Sequence, residues 1–479
     1  ELLRVHSCKV YPKSYNSTEH MEYVMFNVDD REEIVIESET EIKSAVIRPL
    51  SAGISFEISF GKIILSVDRP VKLSVEINGS SNNNLMIFAY KEEFIGPTHN
   101  YIKITQDEYK TGTLLIEKDN TTVYIEEGAT LYGNIVAKNC NNITICGRGR
   151  VCMERYTYEM RKNFARSIDI INCKNVTIKG IIIDDSNDWS MRITGCDDVN
   201  ISDVKIFGCR GNSDGIDICG SRNVTVSDIF TRVWDDSFVV KALGTGNCEN
   251  IIFKNSVLWN DFARPMEVGV ELRADKVRNI KFENIVHSDT GYPLMGIHHG
   301  DHAEVSDIVF DNIRIEDTPG AQLFDIRIAD SVWNRDNKMG DIRNITFSNI
   351  KYLGTDKHNI RNVNFHNINI NGKYALTPKE LGLNVYEFVD GISVTADNLK
   401  NERTVLESEI VMQDDFKPDN GFYKGTVKVI LHNKSDVAMN GTAAFAISPK
   451  NTEKEQSFEY NIDPNESQSY EFNLKLQAG

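Results

Sequence analysis

From about residue 140 the chain keeps returning to one pattern: an Asn or Asp followed by alternating apolar, mostly β-branched residues. The instances are Asn142-Ile-Thr-Ile, Asn175-Val-Thr-Ile, Asp198-Val-Asn-Ile, Asn223-Val-Thr-Val, Asn250-Ile-Ile-Phe, Asn279-Ile-Lys-Phe, Asp307-Ile-Val-Phe, Asn344-Ile-Thr-Phe and Asn362-Val-Asn-Phe. Successive anchors are 33, 23, 25, 27, 29, 28, 37 and 18 residues apart. The middle of that series is steady, and the outliers read as loop insertions. Second short strands follow within each repeat, as at Asp203-Val-Lys-Ile and Asn284-Ile-Val. No segment between anchors has the 3.6-residue periodicity of a crossover helix, which excludes a βαβ barrel or a doubly wound sheet. Short strands in a coil of this length predict an all-β fold, a right-handed parallel β-helix whose coils stack about 4.8 Å apart.

The flanks lack the repeat. Residues 1–110 alternate without a coil period and predict an N-terminal β-sandwich. Residues 111–375 form the helix, 376–400 a polar, partly helical connector, and 401–479 a small C-terminal immunoglobulin-like β-sandwich. Cys140, Cys173, Cys196 and Cys248 each stand two residues before an anchor. Stacking puts at least the first three in one inward column of small apolar thiols. The many Asn-x-Ser/Thr sequons that the anchors create are read as turn-bending asparagines.

Composition narrows the class. The chain is 41% hydrophobic and 26% charged, a globular and not a disordered balance. The formal charge of −17 disfavours nucleic acid and anionic membrane as partners. No apolar run is long enough to span a membrane. Nine cysteines are an odd number with no C-x-x-C pair, which argues against a zinc site. Free thiols and the absence of a visible signal peptide point to a reducing, cytoplasmic setting; because no Met begins the chain, secretion stays open. Nothing in the pattern specifies an oligomeric state.

Coil phase locates the chemistry. Nine residues before successive anchors stand Trp189, Asp214, Lys241, Val270 and His298, and one residue later Ser190, Gly215, Ala242, Glu271 and His299. Asp235 and Asp236 lie in the turn leading into the same strand, about one coil from Asp214. Three carboxyls facing one cleft repel, so at least one is held protonated. Glycoside hydrolysis needs one carboxyl to protonate the leaving oxygen and another to activate water.

The runs Asn212-Ser-Asp214-Gly-Ile-Asp and Trp234-Asp-Asp236-Ser-Phe-Val-Val-Lys241 resemble the pectin-lyase-like β-helix glycosidases. These are glycoside hydrolase families 28 (polygalacturonases) and 49 (dextranases and isopullulanase). The resemblance covers about residues 120–370. It implies Asp235 as general acid, Asp214 and Asp236 as the water-activating pair, inversion at the anomeric carbon, and neither metal nor cofactor. Family 28's Gly-His-Gly motif and its Arg-x-Lys pair, which reads a uronate carboxylate, have no counterpart. Phe262-Ala-Arg264-Pro-Met-Glu267 and Gly296-Ile-His298-His299 occupy those places. Trp259-Asn-Asp-Phe-Ala-Arg-Pro-Met-Glu-Val-Gly and Gln322-Leu-Phe-Asp-Ile-Arg327 resemble dextranase stretches, and an N-terminal sandwich is that family's plan. The expectation is therefore a hydrolase of α-linked, neutral glycans or oligosaccharides. Lys241, Arg264, Glu267, Glu271, Arg273, His298 and His299 are expected to bind sugar hydroxyls, with Trp234 and Trp259 as stacking platforms. The competing readings are a polygalacturonase, a β-helix uronate lyase or epimerase using Lys241, and a carbohydrate-binding spike without catalysis.

Overall fold

A computed structural model describes residues 2–10, 19–91, 100–106, 110–156, 165–288, 293–316, 322–336, 338, 340–353, 360–361, 364–366, 369–370, 373–374, 376–380, 389–390, 393–395, 406–412, 417–419, 422–434, 438–445 and 456–477. They divide into two compact units, Glu1–Thr395 and Ala396–Gly479.

The first unit is dominated by a 24-stranded sheet whose strands pair in parallel with those of the next coil, a right-handed parallel β-helix. The pairing registers read as columns. Ile168, Met191, Ile216, Phe238, Met266, Met295 and Phe324 follow one another and all point into the core. One residue on, Asp169, Arg192, Asp217, Val239, Glu267, Gly296 and Asp325 form the neighbouring column on the opposite face of those strands. This is the period-2 alternation of a strand, repeated from coil to coil.

The anchor asparagines are the bends. Asn142, Asn175, Asp198, Asn223, Asn250, Asn279, Asp307 and Asn344 all have φ of 55–58°. This is the left-handed region that Asn and Asp tolerate better than other side chains. Their amides also bridge coils: Asn250 Nδ2 donates to Asn223 Oδ1 at 2.9 Å, and Asn279 Nδ2 to Asn250 Oδ1 at 2.7 Å. Inside, Phe253, Phe282, Phe310 and Phe347 stack at 4.8–5.0 Å with interplanar angles of 4–7°. The cysteine column is present and is built from thiol–backbone contacts. Cys173 Sγ accepts from the Cys140 N–H and Cys196 Sγ from the Cys173 N–H, both at 3.4 Å, and Ser221 Oγ takes the next position at 2.9 Å. All nine cysteines are free and buried.

Parallel pairing starts earlier and ends later than the boundaries 111 and 375. Asn100–Ile104 already pairs with Thr121–Ile125, and the short strands at 360–361 and 364–366 pair with 389–390 and 393–395. Thr377–Glu380 form a turn; most of the expected connector lies outside the described residues. At the N-terminus a five-stranded and a three-stranded sheet enclose an apolar core. The five-stranded sheet is mixed, because Glu19–Asn27 pairs in parallel with Leu85–Tyr90. Its outer face packs Met21, Tyr23 and Phe88 onto Phe207, Phe230 and Trp259 of the helix. In the second unit, the described strands form an antiparallel four-stranded sheet and a separate hairpin pair around Val429, Leu431 and Ile462.

Candidate active site

The three aspartates meet. Carboxylate oxygens of Asp214, Asp235 and Asp236 all lie within 4.8 Å of one another. Asp214 occupies the turn before Ile216–Cys219, and Asp235 and Asp236 the turn before Phe238–Leu243, the next strand of the same column. The Gly215 N–H donates to the Asp236 carbonyl at 2.7 Å, so the two turns are locked coil to coil. Asp235 is held by backbone donors: Oδ2 accepts from the Asn212 N–H and Oδ1 from the Asp236 N–H, both at 3.0 Å. Asn260 Nδ2 secures the same turn through the Asp235 carbonyl at 2.6 Å. Asp236 Oδ1 accepts the Arg264 N–H at 2.8 Å.

These surroundings divide the acids. Burial, with Asp235 as the next cause, pushes the Asp236 carboxyl up to about 7. Burial also raises Asp214 well above the usual carboxylate range; Lys241 opposes this, and Asp217, Asp235 and Asp236 add to it. Burial and mutual repulsion thus raise the Asp214 and Asp236 carboxyls together.

Lys241 is not in the open cleft. Its buried ammonium sits 3.0 Å from Asp214 Oδ2 and 2.9 Å from Asp217 Oδ1. Glu271 is half-buried and contributes negative charge at Lys241 and Asp217. Arg264 Nη1 is 2.8 Å from Glu267 Oε1, its Nη2 is 2.7 Å from Asp325 Oδ2, and the ring of His298 lies 3.5 Å away. Burial pushes Glu267 up to about 8 despite Arg264, and Oε2 has no hydrogen-bond partner. Its carboxylate fills the space over Gly296, where a Cβ would stand 1.6 Å from Oε2. Burial, then Arg327 and Arg264, lowers His298 to about 3, so its imidazole is neutral.

Four residues expected to contact sugar are covered or paired by the protein itself. Trp259 is 2% exposed within the apolar seam under the N-terminal sheet, so it packs and offers no platform. His299 is wholly buried, with Gly340 covering its Cε1. Arg273 points to the buried Asp301 at 3.7 Å. Trp234 is covered by the ring of Phe262 at 4.6 Å and 3°, and Phe262, 41% exposed, presents the outer aromatic face.

The residues missed were Asp217, Asn260, Phe262 and Asp325. Asp217 had a signal: Asp169, Arg192 and Asp217 each stand six residues before an anchor. Asp325 had none at fixed spacing: its column stands 6 residues before the anchor at Asp217 but 11 at Val239 and 19 at Asp325, because the turn between strand and anchor lengthens.

The match to a curated probable polygalacturonase of Arabidopsis thaliana is 24% identical over 229 residues, 46% of this chain. That match spans half of the relative's length. Among solved structures, Dex49A from Penicillium minioluteum is 16% identical, with 78% of this chain and 84% of that one covered and a TM-score of 0.48. An exopolygalacturonase from Thermotoga maritima is 15% identical, covering 60% and 81%, with a TM-score of 0.41. The sequence model described as "Glycosyl hydrolases family 28" matches residues 133–385, more than half of the chain and the whole stretch that carries the three acids. Of the two families that the acid motifs resemble, the chain belongs to glycosyl hydrolases family 28.

Proposed function

We propose that this family member hydrolyses O-glycosidic bonds of α-linked glycans with inversion of configuration. Asp235 acts as general acid, and Asp214 with Asp236 orients and activates the water. The observation that carries the reading is the meeting of three carboxylates from adjacent coils within 4.8 Å, one of them backed by a lysine. Oxygens this close are nearer the ~5–5.5 Å of a nucleophilic pair than the ~6.5–9.5 Å typical of inverting pairs. Family membership and the presence of two water-holding carboxylates support inversion over a covalent intermediate. A specific observation favours a second assignment of the acid. Asp236 is the carboxyl pushed to about 7, whereas Asp235 accepts two N–H bonds. A glycoside with an activated aryl leaving group separates the two, because it restores turnover only to the variant that lacks the acid. Rescue of Asp235→Asn and not Asp236→Asn supports the first assignment, and the reverse supports the second.

The sugar is proposed to be neutral. Lys241 is committed to Asp214 and Asp217, Arg264 to Glu267 and Asp325, and Arg327 to Asp325, and the Arg-x-Lys pair is absent. A uronate carboxylate would have to displace an existing ion pair. Polygalacturonate is the second reading, favoured by Arg327, whose side chain is 49% exposed. Turnover of dextran, pullulan, α-galactosides and polygalacturonate, compared at one enzyme concentration, decides between them. Undiminished turnover after exhaustive dialysis against EDTA is expected of the metal-free mechanism; loss of turnover with an ultraviolet-absorbing product would instead mark a lyase.

A further inference from the structure

Lys241 lies behind the acids and not in line to meet a substrate. Besides its two carboxylate contacts, its Nζ is 3.8 Å from the centroid of the Trp189 ring. An ammonium has three N–H donors. Two carboxylates and a π-face occupy the directions it has. Lys241, Asp214 and Asp217 are all buried, Asp217 completely. The strand delivers Lys241 there by plain alternation: Val239 pairs with Asp217 and Lys241 with Cys219, so Lys241 leaves the strand on the face that carries Asp217.

Asp217 is the unusual member. Apart from the 2.9 Å approach of Lys241, neither of its oxygens has a hydrogen-bond partner among the described residues. The next position in its column is Val239. An apolar side chain therefore satisfies the packing there, and a buried carboxylate costs stability unless it has an electrostatic task. The groups acting on Asp217 are Lys241, Asp188 and Glu271, with Arg192 and Cys219 beside it in the strands. Those acting on Asp214 are Lys241, Asp217, Asp235 and Asp236.

We propose that Lys241 and Asp217 are positioning residues that set the proton affinity of Asp214. Lys241 favours the ionised carboxylate. Asp217 draws on the same ammonium, so Asp214 is held loosely enough to accept a proton from the water it activates. A base held by an undivided cation would be ionised but too weak to take that proton. This rests on the reading that Asp214 activates water.

The test needs no substrate. Aspartate is labelled with carbon-13 at its carboxyl group, the Asp214 resonance is assigned by its loss in Asp214→Asn, and its titration is followed in the wild type, Asp217→Asn and Lys241→Met. Removing the competing carboxylate should lower the Asp214 midpoint by about one pH unit or more; removing the cation should raise it by a similar amount. Unchanged midpoints, or shifts of the same sign, overturn the proposal. If Lys241→Met does not fold, the Lys241→Met/Asp217→Asn double variant, which removes both charges, replaces it, and its midpoint should rise above that of Asp217→Asn. On a hydrolysed glycan both single variants should lose at least about tenfold in kcat with KM within about threefold. A raised KM with unchanged kcat would assign Lys241 to substrate binding instead. A wild type that titrates as described but turns over no glycan refutes the hydrolase reading alone.

Discussion

The backbone N–H of Arg264 donates to Asp236 at 2.8 Å, while the guanidinium of the same residue joins Glu267 to Asp325. One residue thus holds a carboxylate of the acidic cluster and ties the coil of Glu267 to that of Asp325, two coils further on. Arg264→Ala keeps the N–H but leaves the buried Glu267 without its cation and Asp325 with Arg327 alone. It should cost about 3 kcal/mol of stability, with Arg264→Lys intermediate because an ammonium cannot fork between two acids. Denaturant unfolding at pH 7 measures this; a loss below ~0.5 kcal/mol would mean that the ion pairs contribute nothing.

Asp236 makes stability depend on pH. Its native carboxyl is raised to about 7 by burial and Asp235. Between about pH 4 and pH 7 the folded chain holds a proton that the unfolded chain releases, so stability falls as pH rises through that window. Asp236→Asn removes this residue's share of the dependence. The variant should match the wild type near pH 4 and exceed it at pH 8 by on the order of 1–3 kcal/mol, while losing activity. A stability difference that does not vary with pH would contradict the assignment.

The two aromatic positions should part company. Trp259→Ala empties the seam beneath the N-terminal sheet and should cost about 3–5 kcal/mol, with KM little altered in the fraction that folds. Phe262→Ala exposes the Trp234 ring beside the acids. It should leave the melting temperature nearly unchanged and raise KM several-fold, since ring faces beside a cleft are natural sugar platforms. Kinetics and thermal melts on the two variants are sufficient, and exchanged phenotypes would reverse the placement of the sugar.

The anchor ladder gives a backbone prediction. Asn250 sits at φ 58° and bonds both Asn223 and Asn279. Asn250→Ala should cost about 2 kcal/mol from strain and lost hydrogen bonds, and Asn250→Gly less because it removes the strain. Equal losses in urea unfolding would place the whole effect in the amides.

The coils were legible because their determinants are local. A left-handed bend every 23 to 29 residues is written as Asn or Asp, and alternation after it decides which side chains enter the core. Coil spacing likewise brought Asp214 to Asp236. Counting back from the anchors aligned Lys241 with Asp214, whereas the strand pairs it with Cys219, because the turn from Lys241 to Asn250 is longer than that from Cys219 to Asn223. Trp259 was misjudged for another reason. Its column faces a second domain, and a helix wall that receives a sheet has the same sequence pattern as one that receives sugar. Asp325 depends on Arg264 folding across from an earlier coil, a pairing of residues 61 apart with no periodic signal.

On the proposed mechanism two carboxylates direct water to the anomeric carbon while the third protonates the leaving oxygen, without a covalent intermediate. Proton NMR of the first turnovers on a hydrolysed α-linked glycan tests it most directly. The account predicts that the β-anomer of the new reducing end appears first and the α-anomer only at the rate of mutarotation. Initial release of the α-anomer would contradict it, and would turn one of the closely spaced carboxylates into a nucleophile.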